Sequence, residues 1–194
     1  MEKQLKKLMT KMHSMRGKAK ALSEREDHIM KWLDNKVAIV TGSSKGIGAG
    51  IAKAVGAEGA AVVVNYARDH EGAERVVREI TGKGGRAIAV QGDVAHRSDA
   101  QRLVAEAKKA LGRLDVLVNN AGVFSFAPFE QFSEQEFHRQ FNTNVLGMFL
   151  MIEAALPAFG AEGGSIINIG SETSVTANPT LSIYVASKLS LIHI

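Results

Sequence analysis

Tyr184 and Lys188 have a spacing suited to acid–base chemistry. They are four residues apart in a stretch with helical periodicity, so both side chains lie on one face of the helix. An ammonium stabilises a neighbouring phenolate, which lets a tyrosine exchange protons nearer neutral pH than its free pKa of about 10 permits. Ser171, thirteen residues earlier at the end of a predicted strand, can hydrogen-bond a substrate oxygen. Because a Tyr-x-x-x-Lys spacing is common by chance, the elements that position these residues decide its meaning.

A glycine-rich turn, Thr41–Gly48, is the second candidate site, and it joins the apolar run Val37–Val40 to a helical pattern. Such a turn directs free backbone N–H groups and the positive end of a helix dipole at one point, which suits a pyrophosphate. Glycine turns also join strands to helices in proteins that bind no nucleotide, so the turn alone leaves both interpretations open.

Short apolar runs alternate with helical patterns from residue 36 onward. The pattern predicts strands at Val37–Val40, Ala61–Asn65, Ala87–Gln91, Leu114–Asn119 and Ser165–Ile169. It predicts helices at Gly46–Glu58, His70–Gly82, Ser98–Leu111, from a capping box at Ser133 and Glu136 to about Phe159 with one break, and from about Ser182. Alternation of this kind indicates an α/β fold with a doubly wound parallel sheet, Rossmann-like, whose ligand crevice lies at the carboxyl ends of the strands.

Four features coincide at those strand ends: the Thr41–Gly48 turn, the run Asn119–Gly122, Ser171, and the pair Tyr184 and Lys188. In this order they resemble the classical short-chain dehydrogenase/reductase family over residues 36–188. The runs Val62–Tyr66 and Ile167–Ser171 most resemble 3-oxoacyl-carrier-protein reductases and glucose dehydrogenases within it.

The resemblance implies an oxidoreductase that interconverts a small carbonyl compound and an alcohol. Tyr184 would donate a proton to the carbonyl oxygen as hydride arrives from a nicotinamide, with Ser171 bound to that oxygen. Lys188 would also hold the nicotinamide ribose, and Asn144 would complete a proton relay through water. The competing hypotheses are a non-catalytic dinucleotide-binding or scaffold protein, or an inactive fragment.

The resemblance also implies which residues bind the cofactor: Gly42, Ser44, Lys45, Gly46, Ile47, Gly48, Tyr66, Arg68, Asp93, Val94, Asn120, Ala121, Gly122, Tyr184 and Lys188. Tyr66 stands where NAD enzymes of this fold carry an acidic residue, and Arg68 and Lys45 could meet a 2′-phosphate, so NADP(H) is the predicted cofactor. NAD(H) remains the alternative, because Asp69 could bind the ribose if the register shifts. Asp93 is expected to contact the adenine, unless it only caps a turn.

Composition narrows the other classes of function. There are no cysteines, which excludes disulfides and thiolate zinc sites and fits a reducing cytoplasm. The histidines show no metal-ligand spacing, so no metal is predicted. The longest apolar stretch, Val145–Phe159, is too short and interrupted to span a bilayer. The basic excess lies within residues 1–34, and the remainder holds 15 basic and 15 acidic residues, which argues against nucleic-acid binding.

Three parts of the chain are expected. Residues 1–34 form a basic amphipathic leader helix or reflect a start assigned too early, and residues 35–188 form the dinucleotide-binding and catalytic domain. Residues 189–194 do not continue the helix in the usual way and match the translation of a sequencing-adapter end, so we interpret them as an artificial tail. The sheet would then be incomplete at its C-terminal edge, and the full-length form would be a homo-tetramer. Phe124, Phe126, Phe129 and Phe132 either line a substrate pocket or pack a loop onto the sheet.

Overall fold

The fold is built on a five-stranded parallel sheet, seen in a computed structural model that describes residues 14–18, 31–176 and 178–194. The strands are β1 (Val37–Val40), β2 (Ala61–Tyr66), β3 (Arg86–Gln91), β4 (Val116–Asn119) and β5 (Ser165–Asn168). Their order in the sheet is β3-β2-β1-β4-β5, and every neighbouring pair is parallel. The predicted doubly wound α/β sheet is therefore confirmed.

Helices cover both faces of this sheet. They are α1 (Gly46–Ala57), α2 (His70–Thr81), α3 (Arg97–Leu111), α4 (Glu134–Phe141), α5 (Gly147–Ala155) and α6 (Ser182–Ser190). On one face Ile39 packs with Leu103 of α3 and Met151 of α5, while on the other Ala38 packs with Ala52 of α1. Successive strand residues thus enter opposite cores, which explains why the strands are continuously apolar instead of alternating.

The long helical stretch from Glu134 to Ala158 is interrupted by one π-helical segment, Asn142–Leu146, which joins α4 to α5. The sequence predicts one possible break in this helix without placing it, and the structure has its interruption at this segment. The whole stretch is long and apolar enough to cross a bilayer by length and composition. In this fold, however, its side chains Leu150 and Met151 lie in the core between sheet and α3, which accounts for the apolar composition.

Three local expectations have different outcomes. Of the predicted leader helix, residues 14–18 are helical, and the rest lies outside the described residues. Residues 182–190 form a helix of nine residues that carries both Tyr184 and Lys188. The capping box is only half formed: the Ser133 hydroxyl accepts the Glu136 N–H at 3.1 Å, but the Glu136 carboxylate turns to Ser125 and Arg139. A charged partner outcompetes a backbone N–H for that carboxylate.

Asp115 fixes the amino ends of β1 and β4. Its Oδ2 accepts the Val37 N–H at 2.9 Å, and the Arg113 guanidinium donates to both carboxylate oxygens at 2.8 and 2.7 Å. Burial opposes ionisation of this group, but the bonds from Arg113 and Val37 outweigh it, so the pKa of Asp115 is lowered. A carboxyl whose pKa is lower in the folded state stabilises the fold above its unfolded pKa, and that contribution is lost as pH falls through the folded value.

We expect Asp115→Ala to lower the free energy of unfolding at pH 7 by about 2 to 3 kcal/mol, because the buried Val37 N–H loses its acceptor. Urea denaturation at a series of pH values measures this. The difference from wild type should shrink as pH falls below about 4, the unfolded pKa of an aspartate, toward the lower pKa of the folded Asp115. Glu79→Gln, which removes an exposed ion pair to Lys53, is the control and should change stability little. A deficit that stays constant from pH 7 to pH 3 would contradict the assigned role.

Candidate functional site

The glycine turn leads from β1 into α1 at the carboxyl edge of the sheet. Gly42 has φ +60°, a value that favours glycine, and its N–H donates to Asn65 Oδ1 at 3.0 Å. Asn65 is buried at the end of β2 and donates its amide to the Gly92 carbonyl at 3.0 Å and the Val90 carbonyl at 3.3 Å. One buried carboxamide therefore fixes the turn to the ends of two neighbouring strands, a role that sequence reasoning missed.

Thr41 and Asn120 join the same turn to the end of β4. The Thr41 hydroxyl accepts the N–H groups of Asn120 and Ala121, both at 3.0 Å. Asn120 Nδ2 donates to the carbonyls of Thr41 at 2.8 Å and Gly42 at 3.1 Å. The side chain of Asn120, a predicted cofactor contact, is thus committed to holding the glycine turn. A Cβ on Gly42 would lie 2.9 Å from Ala121 Cα, so these two segments touch directly.

The first turn of α1 presents free backbone N–H groups. Lys45 occupies the N-cap position with extended backbone and no side-chain cap, and no acidic residue lies in the first turn. Lys45, Gly46 and Ile47 are exposed, whereas Ser44 is buried. Uncapped N–H groups and the helix dipole give this end of α1 the donor set that a phosphate needs.

The residues predicted to bind the adenosine end of the cofactor lie at the end of β2 and just after it. Tyr66 is the last residue of β2, and its ring meets His70 edge-on at 5.4 Å. Arg68 is exposed. The Asp69 carboxylate accepts the Gly72 N–H at 3.0 Å and so caps α2. Asp69 is therefore used as the N-cap of α2, and the position where NAD enzymes carry an acid is held by Tyr66.

Asp93 and Val94 follow β3. Asp93 Oδ1 accepts the Ala95 N–H at 3.0 Å, the turn-capping alternative, while its Oδ2 lies 3.8 Å from His96 Nδ1. Val94 is buried and contacts Gly147, where a Cβ would lie 2.8 Å from Val94 Cγ2.

Across residues 14–18, 31–176 and 178–194, no group of three or more His, Asp or Glu side chains could hold a metal ion, and the lack of a metal site stays a prediction.

A cleft opens between the end of β4, the π-helical segment and α6. It is lined by residues that include Thr41, Val94, Asn119, Asn144 and Lys188. Asn119 Nδ2 donates to Asn168 Oδ1 at 2.9 Å, but Asn119 Oδ1 is buried without a hydrogen-bond partner in the described part of the chain. A buried acceptor of this kind is costly unless a donor reaches it, so the cleft suits a ligand that carries hydroxyl or amide donors.

Lys188 is the charged group of this cleft. Its side chain is buried, with 5% of the residue exposed, and Nζ donates to the Ile169 carbonyl at 2.8 Å. Nζ also lies 6.0 Å from the centre of the Tyr184 ring and 3.6 Å from where a Cβ on Gly122 would stand. Burial lowers the pKa of Lys188. The structure therefore brings Gly122, Tyr184 and Lys188 together, as the four-residue spacing predicts for the last two.

Tyr184 and Ser171 differ in how free their hydroxyl groups are. The Tyr184 hydroxyl makes no hydrogen bond with any described residue, and its ring lies 5.7 Å from the Phe124 ring. The Ser171 hydroxyl contacts Thr173 Oγ1 at 2.9 Å and accepts the Thr173 N–H at 3.3 Å, capping the short 3-10 turn Glu172–Ser174. No hydrogen bond joins Ser171 to Tyr184 within the described residues, and the catalytic role of Ser171 stays a prediction.

Asn144 lies in the π-helical segment with its carboxamide fully engaged. Oδ1 accepts the Val123 N–H at 2.8 Å, and Nδ2 donates to the Val123 carbonyl and to Ser187 Oγ, both at 2.9 Å. The side chain therefore ties the segment after Gly122 to α6, and a relay through Asn144 stays a prediction. Ser187 lies between Tyr184 and Lys188 in the sequence, but no spacing in the sequence pairs it with Asn144.

Glu136 of α4 binds the segment after Gly122 at Ser125, two residues beyond Val123. Its carboxylate accepts from Ser125 Oγ at 2.6 Å, from Gln140 Nε2 at 2.7 Å, and from Arg139 Nε and Nη2 at 2.7 and 2.6 Å. The bond from Arg139, helped by Ser125 and Gln140, lowers the pKa of Glu136 to about 2. Glu136 is thus ionised throughout the physiological range and fastens the segment to α4.

A comparison of the sequence with models of known protein families identifies the family to which the chain belongs. The family model described as short chain dehydrogenase matches residues 36–194. The chain belongs to that family. The predicted family is thereby confirmed, while the finer likeness to 3-oxoacyl-carrier-protein reductases and glucose dehydrogenases stays a prediction.

Individual relatives support the assignment to the short chain dehydrogenases. An uncharacterized oxidoreductase of Methylorubrum extorquens is 53% identical over 82% of this chain and 64% of its own length. Versicolorin reductase 1 of Aspergillus parasiticus is 43% identical over 80% of this chain and 60% of its own length. A short chain dehydrogenase of Burkholderia cenocepacia, solved in complex with NADP, superposes with a TM-score of 0.79 at 38% identity, covering 83% of this chain and 66% of that one. The chain thus spans less than two thirds of these relatives' length.

Two glycines of α1 give a matched test of the turn. A Cβ on Gly48 would lie 2.4 Å from Asn120 Nδ2 and 2.6 Å from the Gly42 carbonyl oxygen, whereas a Cβ on Gly50 meets nothing within 4 Å. We expect Gly48→Ala to lower the free energy of unfolding by about 1 to 3 kcal/mol, because the backbone of the turn must move. Gly50→Ala should raise it by about 0.5 to 1 kcal/mol. Urea denaturation of both variants measures this, and equal effects would contradict the close approach described here.

Proposed function

We propose that this chain binds NADP(H) and catalyses hydride transfer between the cofactor and a small carbonyl or alcohol substrate. The observation that carries the proposal is the buried Lys188 ammonium beside Tyr184, whose hydroxyl makes no hydrogen bond with a described residue, at the strand edge where the glycine turn lies. The name of the Aspergillus parasiticus relative, a reductase, and the NADP bound to the Burkholderia cenocepacia protein support the same conclusion.

The chain's own groups fit the cofactor at three places. The uncapped first turn of α1 and the exposed Lys45 can hold the phosphates. Asn119 lines the cleft, and its buried Oδ1, which has no hydrogen-bond partner among the described residues, can accept a hydrogen bond from the cofactor. Lys188 Nζ keeps donors beyond the one given to Ile169, and these can reach a ribose hydroxyl. When bound, a reduced nicotinamide supplies a hydride.

Proton transfer is the part of the reaction that side chains perform. Tyr184 gives its hydroxyl proton to the substrate oxygen during reduction and takes it back during oxidation. The ammonium of Lys188 stabilises the phenolate that remains, since an opposite charge nearby favours the ionised form. The Ser171 hydroxyl can turn from Thr173 to the substrate oxygen and hold it within reach of Tyr184.

The proposed preference for NADP(H) over NAD(H) rests on the charge and bonding of residues at the end of β2 and just after it. Tyr66 stands at the strand end, and Asp69, the acid that could bind a ribose, is committed to capping α2. Arg68 and Lys45 are exposed cations near the ends of β2 and β1. Guanidinium and ammonium groups suit a 2′-phosphate, and nothing in this set favours a bare 2′-hydroxyl.

We expect Tyr184→Phe to lower kcat by about 10² to 10⁴-fold while NADPH binding changes less than about twofold, because the phenylalanine keeps the ring and removes only the proton donor. NADPH oxidation with a panel of ketones measures the first quantity, and isothermal titration calorimetry measures the second. If the wild type binds NADPH but turns over no ketone, the non-catalytic alternative is correct. If the variant keeps full turnover, Tyr184 is not the acid.

We expect Arg68→Ala to weaken NADPH binding by about ten- to a hundredfold and to leave NADH binding unchanged, because the 2′-phosphate loses a charge-assisted partner. Lys45→Ala should act in the same direction. Calorimetric titration with each cofactor measures both. Arg75→Ala removes another exposed cation, from α2, and serves as the control for net charge. Equal loss of NADH and NADPH affinity in Arg68→Ala would contradict the proposed selectivity.

A further inference from the structure

The segment Gly122–Ala127 has two sides of different character. Exposed and half-buried residues alternate along it, with Gly122, Phe124 and Phe126 exposed and Val123, Ser125 and Ala127 half-buried. This is the period of two expected of extended chain, in which neighbouring side chains point to opposite sides. The segment begins three residues after the end of β4, so it lies at the carboxyl edge of the sheet, as the candidate site does.

Its half-buried side is anchored to the protein at three successive points. The backbone of Val123 is bound to the Asn144 carboxamide, and the Ser125 hydroxyl donates to Glu136 at 2.6 Å. The Ala127 N–H donates to the Thr180 carbonyl at 2.9 Å, four residues before Tyr184. Bonds at every second residue, through the backbone at Val123 and Ala127 and through the side chain at Ser125, position the exposed side chains relative to α6.

Its exposed side runs past the catalytic candidates. Gly122 lies beside Lys188, with 3.6 Å between the built Cβ and Nζ. The Phe124 ring lies 5.7 Å from the Tyr184 ring, and the Phe126 ring meets Phe124 at 5.4 Å with an interplanar angle of 88°. The rings of Tyr184, Phe124 and Phe126 therefore form one row, which starts at the proposed proton donor.

These two phenylalanines lie in an anchored segment and are open to solvent. Phe124 is 55% exposed and Phe126 is 67% exposed. Phe129 is also exposed, at 70%, but its ring stacks on Phe132 and has no ring contact with Tyr184, Phe124 or Phe126 among the described residues. Two rings at a right angle offer a flat face and an edge side by side, the two geometries that a further aromatic ring prefers.

We propose that Phe124 and Phe126 recognise the substrate and select ketones whose carbonyl is attached to, or fused with, an aromatic ring. This inference rests on the proposed function and specifies the substrate class of the same site. A planar ring seated on Phe126 and Phe124 joins the row of rings that begins at Tyr184, so its attached carbonyl can lie at the Tyr184 end of that row. A saturated ring of the same size can fill the space but forms no ring–ring contact, so it gains less.

The test compares α-tetralone with α-decalone, which have the same bicyclic skeleton and differ in one aromatic ring, on the NADPH-loaded full chain. The wild type should favour α-tetralone in kcat/KM. In Phe124→Leu and Phe126→Leu this preference should fall by about three- to tenfold, mostly through KM, with little change for α-decalone. Phe129→Leu is the matched control and should keep the wild-type preference.

Saturation-transfer NMR of α-tetralone binding gives a readout that does not require turnover. Transfer to the ketone's aromatic protons should be clear in the wild type and Phe129→Leu, and weak in Phe126→Leu. If NADPH binds and no ketone is reduced, the proposed function fails, and the NMR result alone still decides the aromatic site. Equal preference for the two ketones in the wild type overturns the inference. So does a Phe126→Leu variant that changes the oligomeric state in size-exclusion chromatography but keeps the α-tetralone preference.

Discussion

The hydrogen bonds between Thr41 and Asn120 hold the two halves of the site together. The Thr41 hydroxyl receives two backbone N–H groups from the end of β4, and the Asn120 carboxamide returns two bonds to the carbonyls of the glycine turn. The turn that can hold phosphates and the segment that passes Tyr184 are therefore parts of one bonded unit. A shift of either half would break these bonds and leave the carbonyls of the glycine turn without donors, which is costly for buried groups.

The π-helical segment Asn142–Leu146 determines which side chains reach the cleft. An additional residue in one turn displaces the following helix face, and such segments often occur at functional sites. Here it turns the Asn144 carboxamide inward, where the side chain spans the gap between Val123 and Ser187. It also precedes Gly147, whose missing side chain lets the helix approach Val94. A regular helix across residues 142–146 would not bring the same groups to the cleft.

The sequence predicted the fold closely because each of its signals is local. Continuous valine and isoleucine runs reveal strands buried on both faces, and the strand bounds agree within about two residues. The spacing of Tyr184 and Lys188 likewise sets a shared helix face. The side-chain partners were not accessible in this way. Asn65 to Gly42, Asn144 to Ser187 and Lys188 to Ile169 are bonds between segments 19 to 43 residues apart, and no periodicity encodes them. The hydroxyl of Ser171 shows the same limit, since the neighbouring Thr173 competes for it.

The environment of Lys188 explains how a charge in this position remains useful. Burial makes the ammonium costly, and the lowered pKa of Lys188 records that cost. Within the described residues its bonded partner is the Ile169 carbonyl, and no carboxylate forms a salt bridge with it. A carboxylate would cancel most of the positive field, whereas a neutral carbonyl orients the ammonium and leaves its charge available. The fold thus gives up some stability at Lys188 and keeps, among the described residues, a cation without a carboxylate partner 6.0 Å from the centre of the Tyr184 ring, an arrangement on which the proposed proton transfer depends.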